Sequence, residues 1–541
     1  MSQAAISVKE DDNPTGETRV TNKRVLLIEP PFYRLYHDNF SLIKYPLALG
    51  YLSGAVRKWT DWQVQTYNAD FCTRRTIQVS GSYLIGKGFK RYLRTLRDPR
   101  ASIWDEVREA IRDAAPGVVG ISAKTQNFTS ATVVAQIAKE INPDIQVVLG
   151  GPHATMSSEH ALNTCPHIDV VATGEGEMTL VELLEAYEAG TPLENVAGLW
   201  LRGEGRNRRT GIRPYIEDLD TLPVPIDYAA EVLRDYDKYP KDAFRHMFSA
   251  RGCPYACTFC ESKAIWTQKT RWRSPRHVIE EIKKLRALGI EHVLFDDDTF
   301  GIKASYIQEL CGLMLEETPG LKWDCEMTVG ITKEKTVEIM QRAGCISVFI
   351  GIESGNDEML KKIKKSQTVD KALTAVDVYN KYGIEVNTFF MIGFPEETEE
   401  TLADTVEAIR RINAYNVILS VFTPYPGSQM FEVCRKLGLV DDSFDVTVHN
   451  HQSPENCFTA FIPPERFRKL ARQTTRMVDR KNSWNRIKMI ASVARAKGPR
   501  YVVRKGSALI LRQLRARLLP VLSNAFYRQH QPQQVLREPG S

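Results

Sequence analysis

Three thiols fall within eight residues, at Cys253, Cys257 and Cys260, in the run Arg251-Gly252-Cys253-Pro254-Tyr255-Ala256-Cys257-Thr258-Phe259-Cys260. Thiolates are soft ligands that suit zinc or iron–sulfur clusters. A loop this short can wrap three sulfurs around one centre, and three protein ligands leave a position open for a small molecule, as catalytic metal sites do. Zinc would want a fourth ligand close by, but only His246 precedes the run and no second C-x2-C pair follows it. Cys72, Cys165, Cys311, Cys325, Cys345, Cys434 and Cys457 stand singly, as small buried apolar residues do. Acidic and glycine-rich stretches follow the thiols in order: Asp296-Asp297-Asp298, Glu326, Gly351-Ile352-Glu353-Ser354-Gly355 and Gly393-Phe394-Pro395-Glu396-Glu397. Any one of them alone could be a solvated turn or a helix cap.

The elements that must position these residues alternate strand with helix. Strands are expected over 247–250, 292–295, 322–327, 347–352, 386–392 and 417–422, with helices such as 275–288 and 369–382 between them. Six βα units in about 190 residues suit a partial (β/α)6 barrel over 246–440, whose active site would lie at the strand carboxyl ends. An earlier series places strands at 24–28, 117–122, 145–149 and 169–172, and helices at 45–56, 130–141 and 179–187. That α/β pattern predicts a Rossmann-like parallel sheet over 23–187, with its ligand crevice at the Gly-rich strand ends. Residues 1–22 read as a disordered leader. Residues 188–245 read as a linker with some short strands, and 441–541 as a basic helical region.

The thiol spacing, directly after a strand that opens a partial barrel, resembles the radical S-adenosylmethionine superfamily. The resemblance implies that Cys253, Cys257 and Cys260 ligate a [4Fe–4S] cluster and that S-adenosyl-L-methionine chelates its fourth iron through amino and carboxylate groups. It places Phe259 near the adenine. Residues 295–300, 351–355, 393–398 and 424–428 resemble the superfamily's second-, fourth-, fifth- and sixth-strand motifs, which assigns Gly351, Glu353, Ser354 and Gly393 to the cofactor. The third strand departs from the pattern. It usually ends in Arg, whereas this chain reads Glu326-Met327-Thr328-Val329-Gly330, so a contact to the cofactor carboxylate is expected from elsewhere. Asp296, Asp298, Glu326 and Glu353 are the catalytic candidates, with Asn387 a further polar residue facing the cavity.

After the first strand the chain reads Glu29-Pro30-Pro31-Phe32 rather than G-x-G-x-x-G, which argues against a dinucleotide site. Pro30, Ser122 with Thr125, Gly150-Gly151-Pro152-His153 and Gly174-Glu175-Gly176-Glu177 together resemble the cobalamin-binding domain attached to many radical enzymes. Glycines at those turns would let backbone approach the corrin and its nucleotide tail. A purely structural Rossmann domain is the plainer reading. The D-x-H-x-x-G sequence of other corrinoid proteins is absent, which implies a cobalt without that histidine; His153 reads as a crevice residue and not a ligand. Methylthiotransferases share the domain order but need three further cysteines there, and only Cys72 and Cys165 are present.

Both resemblances together imply a cobalamin-dependent, class B radical methyltransferase-like enzyme. Its expected reaction is methyl transfer to an unactivated carbon or phosphorus centre of a small-molecule or lipid-like substrate, with an electron donor such as flavodoxin or ferredoxin. A cobalamin-dependent oxidative cyclase or ring-rearranging enzyme is the alternative within the architecture. An alternative of another class is a corrinoid- or metal-binding module with a nucleic-acid-binding tail. The tail shows no finger spacing and no interleaved aromatic platform, so no nucleic acid is expected.

The chain carries a net charge of +6, yet residues 462–541 hold 19 Lys/Arg and three acids (Glu465, Asp479, Glu538), leaving an acidic body. Leu511, Leu514, Leu518 and Leu522 fall at helical spacing among Arg512, Arg515 and Arg517. Such a stretch packs on the barrel, meets an anionic membrane surface, or recognises an acidic partner. The first 22 residues lack an apolar h-region and no 18-residue apolar run occurs. A cytoplasmic protein is therefore expected, with peripheral contact at the inner membrane face as its variant.

Overall fold

Arg24–Glu29 (β1) reads RVLLIE and buries four residues in succession, as a strand covered on both faces must. It pairs in parallel with Gln63–Asn68 (β2) on one side and Val118–Ser122 (β3) on the other. Gln146–Gly150 (β4) and Val170–Ala172 (β5) continue the parallel sheet, and Leu199–Leu201 (β6) and Arg208–Arg209 (β7) add an antiparallel edge. The strand order β2-β1-β3-β4-β5-β6-β7 reverses beside β1, the place where open α/β sheets form a ligand crevice. This is a computed structural model, and it describes residues 18–37, 40–72, 87–203, 205–441, 443–451 and 453–497.

The second sheet opens with His246–Met247 (β8), which ends earlier than the expected 247–250 strand. The backbone N–H groups of Ser249 and Ala250 turn away to Asp297 Oδ1, at 2.7 and 3.1 Å, and so leave the ladder. Ala250–Arg251 (β9) then pairs antiparallel with Arg271–Trp272 (β10). His292–Phe295 (β11), Lys322–Met327 (β12), Cys345–Glu353 (β13), Glu385–Ile392 (β14) and Asn416–Val421 (β15) complete a six-stranded parallel sheet in the order β15-β14-β13-β12-β11-β8. Helices cover its outer face. In Pro275–Ala287 the buried Val278, Ile279, Ile282 and Leu285 share one side, and the Ser274 side chain accepts the His277 N–H at the amino end, an ordinary N-cap.

Residues 188–245 are not a free tether. After the β6–β7 edge, Leu219 and Leu222 pack on Leu47 and Tyr51 of helix Leu47–Trp59. Ala229, Leu233, Tyr239, Ala243 and Phe244 join the barrel core beside Tyr45 and Phe71. The segment is a saddle that packs the two sheets together. At the other end, helix Pro464–Lys497 lies along β15. Its Asn482 side chain accepts from the Val417 N–H at 2.9 Å and donates to the Val417 carbonyl at 2.8 Å. The leucine series 511–522 lies outside the described residues. Among those described, no helix is long and apolar enough to cross a membrane.

Candidate active site

Strand ends of the second sheet enclose a cavity of about 190 Å³ lined by Cys253, Cys257, Cys260, Phe259, Asp298, Glu326, Gly351 and Glu353. Gly252 leads into the thiol loop with φ +96°, and a Cβ there would stand 2.3 Å from the Lys269 carbonyl oxygen, so only glycine fits. Burial raises all three thiols, Cys260 to about 12. Neutral thiols become thiolates when a metal centre binds them. Among the described residues no three His, Cys, Asp or Glu side chains close around a single-ion site. The donor set is three soft sulfurs on one cavity wall, which fits a cluster that keeps one iron open.

The same cavity holds a cation that the sequence did not single out. Lys365 Nζ lies 3.0 Å from Glu353 Oε1. It follows helix Asp357–Lys362, at a distance in sequence from the third strand where an Arg was missing. Glu353 sits at φ +70° at the end of β13, a conformation that a non-glycine residue adopts at a cost. Glu326, at the end of β12, lines the cavity at its open side and is itself exposed. Burial, reinforced by the charges of Asp296 and Asp298, lifts its carboxyl to about 7.

A second cavity, of about 370 Å³, lies where the carboxyl ends of β1, β3, β4 and β5 face the opening strands of the barrel. Leu27, Gly120, Ser122, Gly150, Gly151, Gly174, Glu175, Gly176 and Glu177 line it from one domain, and Arg251, Trp266, Asp296 and Asp298 from the other. Gly151 has φ +94° and Gly174 φ +74°, and nothing stands within 4 Å of a Cβ at Gly150 or Gly174. That bare backbone is a cradle for a large, flat ligand. Asp298 borders both cavities. Asp298 accepts from Ser262 Oγ at 3.0 Å, and burial raises its carboxyl. Asp296 is gripped by Lys44 Nζ from the first domain and by His246 Nδ1 at 3.1 Å. Burial would raise Asp296, but the His246 hydrogen bond and the Lys44 charge hold it low.

Several expected site residues stand elsewhere. His153 is off the cavity wall, buried against the Phe128 ring at 4.1 Å, and among the described residues neither ring nitrogen has a hydrogen-bond partner. Burial lowers it to about 3, so it stays neutral. Pro30 and Thr125 are buried and line neither cavity. Ser354 shares a hydrogen bond with Thr405 Oγ1 at 3.2 Å, inside the barrel wall. Gly393 donates its N–H to Glu397 and faces the Phe467 ring, which a Cβ would meet at 2.6 Å. Asn387 donates to Ser347 Oγ at 2.8 Å near the amino end of β14, the wrong end of the strand for the cavity. Glu175 and Glu177 reach the corrin-side wall, but their carboxylates are held by arginines. Lys44, Arg251 and Lys365 went unremarked in the sequence because each acts across a domain or loop boundary.

Two parallel α/β units, with a glycine cradle at one set of strand ends and a three-thiol loop at the other, define a radical enzyme joined to a corrinoid-binding domain. The sequence model of the B12 binding domain matches residues 35–184, and that of the Radical SAM superfamily residues 247–409. An uncharacterized methyltransferase of Pyrococcus horikoshii is 34% identical over 332 residues, 61% of this chain and 72% of that protein. The anaerobic magnesium-protoporphyrin IX monomethyl ester cyclase of Rubrivivax gelatinosus is 30% identical over 65% of this chain and 63% of its own length. The cytidylyl-2-hydroxyethylphosphonate methyltransferase of Streptomyces wedmorensis is 26% identical over 79% and 84%. Two solved structures share the fold. The radical S-adenosylmethionine methyltransferase TsrM from Kitasatospora setae, with cobalamin and a [4Fe–4S] cluster bound, has a TM-score of 0.60 at 18% identity over 77% of this chain and 76% of TsrM. The cobalamin-dependent enzyme OxsB has 0.64 at 17% identity over 96% and 77%.

The chain belongs to the cobalamin-binding-domain radical S-adenosylmethionine family. It is a radical SAM enzyme, and its cofactors are a [4Fe–4S] cluster, S-adenosyl-L-methionine and cobalamin.

Proposed function

We propose that the protein transfers a methyl group to an unactivated carbon or phosphorus centre of a small-molecule substrate. The observation that carries this reading is the shared Asp298 wall, which sets the thiol cavity and the corrin cavity side by side. When bound, the cluster with S-adenosylmethionine supplies a 5′-deoxyadenosyl radical and cobalamin supplies the methyl group. The chain's own residues bind, orient and exclude water. Cys253, Cys257 and Cys260 hold the cluster, and Phe259 and Gly351 shape the nucleoside side of its cavity. Lys365 offers the positive charge for a carboxylate that the third strand lacks. Glu326, near 7, can hold or release a proton beside the substrate at working pH. Methyltransferases among the relatives support the reaction. The similarity to cyclases favours oxidative cyclisation as the second reading.

Helix Pro464–Lys497 bears on the substrate's source. Its barrel side buries Val478 and Asn482, while Trp484, Ile487 and Ile490 stand exposed on the outer side among Arg480, Arg486 and Lys488. A basic helix with exposed Trp and Ile suits an anionic lipid surface, which supports peripheral membrane contact and a lipid-like substrate. Pelleting with anionic vesicles should fall when Trp484 and Ile487 are both changed to Ser; unchanged pelleting removes the membrane reading.

The reaction is tested by anaerobic reconstitution with iron, sulfide and hydroxocobalamin, followed by methyl-labelled S-adenosylmethionine and dithionite. 5′-Deoxyadenosine together with methylated cobalamin is the expected result. Deoxyadenosine with bound but unmethylated cobalamin would transfer the assignment to the cyclase branch, and neither product would overturn both.

A further inference from the structure

Four buried charges bridge the two domains at the seam between the corrin cavity and the thiol loop. Arg251 Nη1 donates to Glu175 Oε1 at 2.8 Å, and its Nη2 donates to Glu177 Oε1 at 2.5 Å. Arg271 Nη1 donates to Glu175 Oε2 at 2.7 Å and to the Ile216 carbonyl, also at 2.7 Å. The Ile216 N–H closes the ring onto Glu175 Oε2 at 2.6 Å. All four side chains are between 1 and 8% exposed. The Arg251 guanidinium also lies 5.1 Å from the Tyr51 ring and 5.8 Å from that of Trp266. Burial would raise the Glu175 carboxyl, but the Arg271 hydrogen bond and the Arg251 charge hold it low, so the network is ionic.

Both ends of this network sit on functional loops. Glu175 and Glu177 flank Gly176 in the turn that forms one wall of the corrin cavity. Arg251 is separated from the cluster ligand Cys253 only by Gly252, whose positive φ admits no side chain. Buried ion pairs are poor stabilisers beside apolar packing, but they break sharply when one partner is lost, and in some proteins they specify one arrangement. The arginine fork engages two carboxylates at once, which a lysine ammonium cannot do with the same geometry.

We propose that Arg251 is a positioning residue: through Glu175 and Glu177 it fixes the separation and orientation of the corrin site relative to the cluster loop. A misplacement of about 1 Å can cost on the order of 10²-fold in rate, so two cofactors held by separate domains need such a fixed reference. The inference rests on the two-cofactor assignment and is independent of whether the reaction is methylation or cyclisation.

The test uses the full chain loaded with cluster and cob(II)alamin, comparing Arg251→Lys and Glu177→Gln with the wild type. Pulsed dipolar electron paramagnetic resonance reads the distance between the reduced cluster and cobalt. Hydrogen exchange on the same proteins without cofactors reads backbone protection at 174–177 and 250–253. Both variants should bind the two cofactors at wild-type stoichiometry, but with a distance distribution at least twice as broad. Glu177→Gln should speed exchange at 250–253 by tenfold or more, although that strand lies in the other domain. An unbroadened distribution in both variants, or exchange at 250–253 that ignores Glu177→Gln, overturns the proposal. If Arg251→Lys fails to load, Glu177→Gln decides, since it leaves Arg251 an uncharged partner. A wild type that takes up no cobalamin would refute the two-cofactor assignment, while the exchange measurement still judges the clamp.

Discussion

Glu397 offers the sharpest test of how the barrel is braced. Its side chain is 0% exposed; one carboxyl oxygen accepts the Gly393 N–H, and the other, Oε1, has no partner among the described residues. Burial lifts the carboxyl from 4.5 to about 8, against the opposing Gly393 hydrogen bond. A carboxyl that binds its proton more tightly in the folded chain favours folding at low pH, and the advantage drains away as pH rises from 4.5 through 8. At about 1.4 kcal/mol per unit, the loss attributable to Glu397 between pH 5 and pH 8 is roughly 3–4 kcal/mol. Glu397→Gln keeps an acceptor for the Gly393 N–H and removes the titration. Urea unfolding of both proteins at pH 5, 6.5 and 8 should show the glutamine variant gaining about 3 kcal/mol on the wild type across that range. Parallel pH profiles would refute the argument and mean that Glu397 is ionised with a partner or reached by solvent.

Gly252→Ala forces a left-handed backbone on alanine and drives its Cβ against the Lys269 carbonyl; with roughly 1–3 kcal/mol from φ alone, the variant should reconstitute less than half the wild-type iron, read by metal analysis. Cys257→Ala removes one of the three thiols lining the cluster cavity, so the cluster's visible absorption should vanish while cobalamin uptake at the other cavity stays within twofold. Lys365→Met should weaken S-adenosylmethionine binding to the cluster-loaded protein tenfold or more, since a charged hydrogen bond contributes roughly 1.5–3 kcal/mol; unchanged affinity in equilibrium dialysis would place the carboxylate elsewhere. Among the described residues no histidine lines the corrin cavity, so the resonance spectrum of bound cob(II)alamin should be the same in His153→Ala as in the wild type; a nitrogen splitting lost in that variant would make His153 a ligand.

Strands buried on both faces were legible as unbroken apolar runs, which is why β1 and the barrel strands fall within a few residues of their expected spans. The first sheet's parallel edge strand β2 was not. Gln63–Asn68 reads QVQTYN and is half open at its start, so polar residues mask a strand that the sheet nonetheless pairs along its whole length. The saddle over 188–245 looked like a linker because its glycines and prolines mark turns, while its isolated apolar residues find partners only in three dimensions. At the site, residues that act through backbone or through sulfur spacing could be read from local pattern. Lys44, Arg251 and Lys365 could not, since their meaning lies in carboxylates between 12 and 252 residues away.

The run Asp296-Asp297-Asp298 shows what strand geometry adds to a motif. The three aspartates follow directly on β11, which ends at Phe295, and in the turn that leaves the strand each meets different partners. Asp297 turns inward, takes the N–H groups of Ser249 and Ala250, and ends the ladder of β8; burial raises its carboxyl to about 7. Asp296 turns to the cleft, where it pairs with the Lys44 charge and is hydrogen-bonded to His246, tying the corrin domain to the barrel. Among the described residues Asp298 has the Ser262 hydroxyl as its one side-chain partner, and it stands on the wall common to both cavities. The strand break made by Asp297 is also what frees Ala250–Arg251 to pair with Arg271–Trp272, and that pairing delivers both arginines to Glu175. One acidic triplet therefore ends a strand, docks a domain and borders the reaction space, each role set by the partners its own side chain meets.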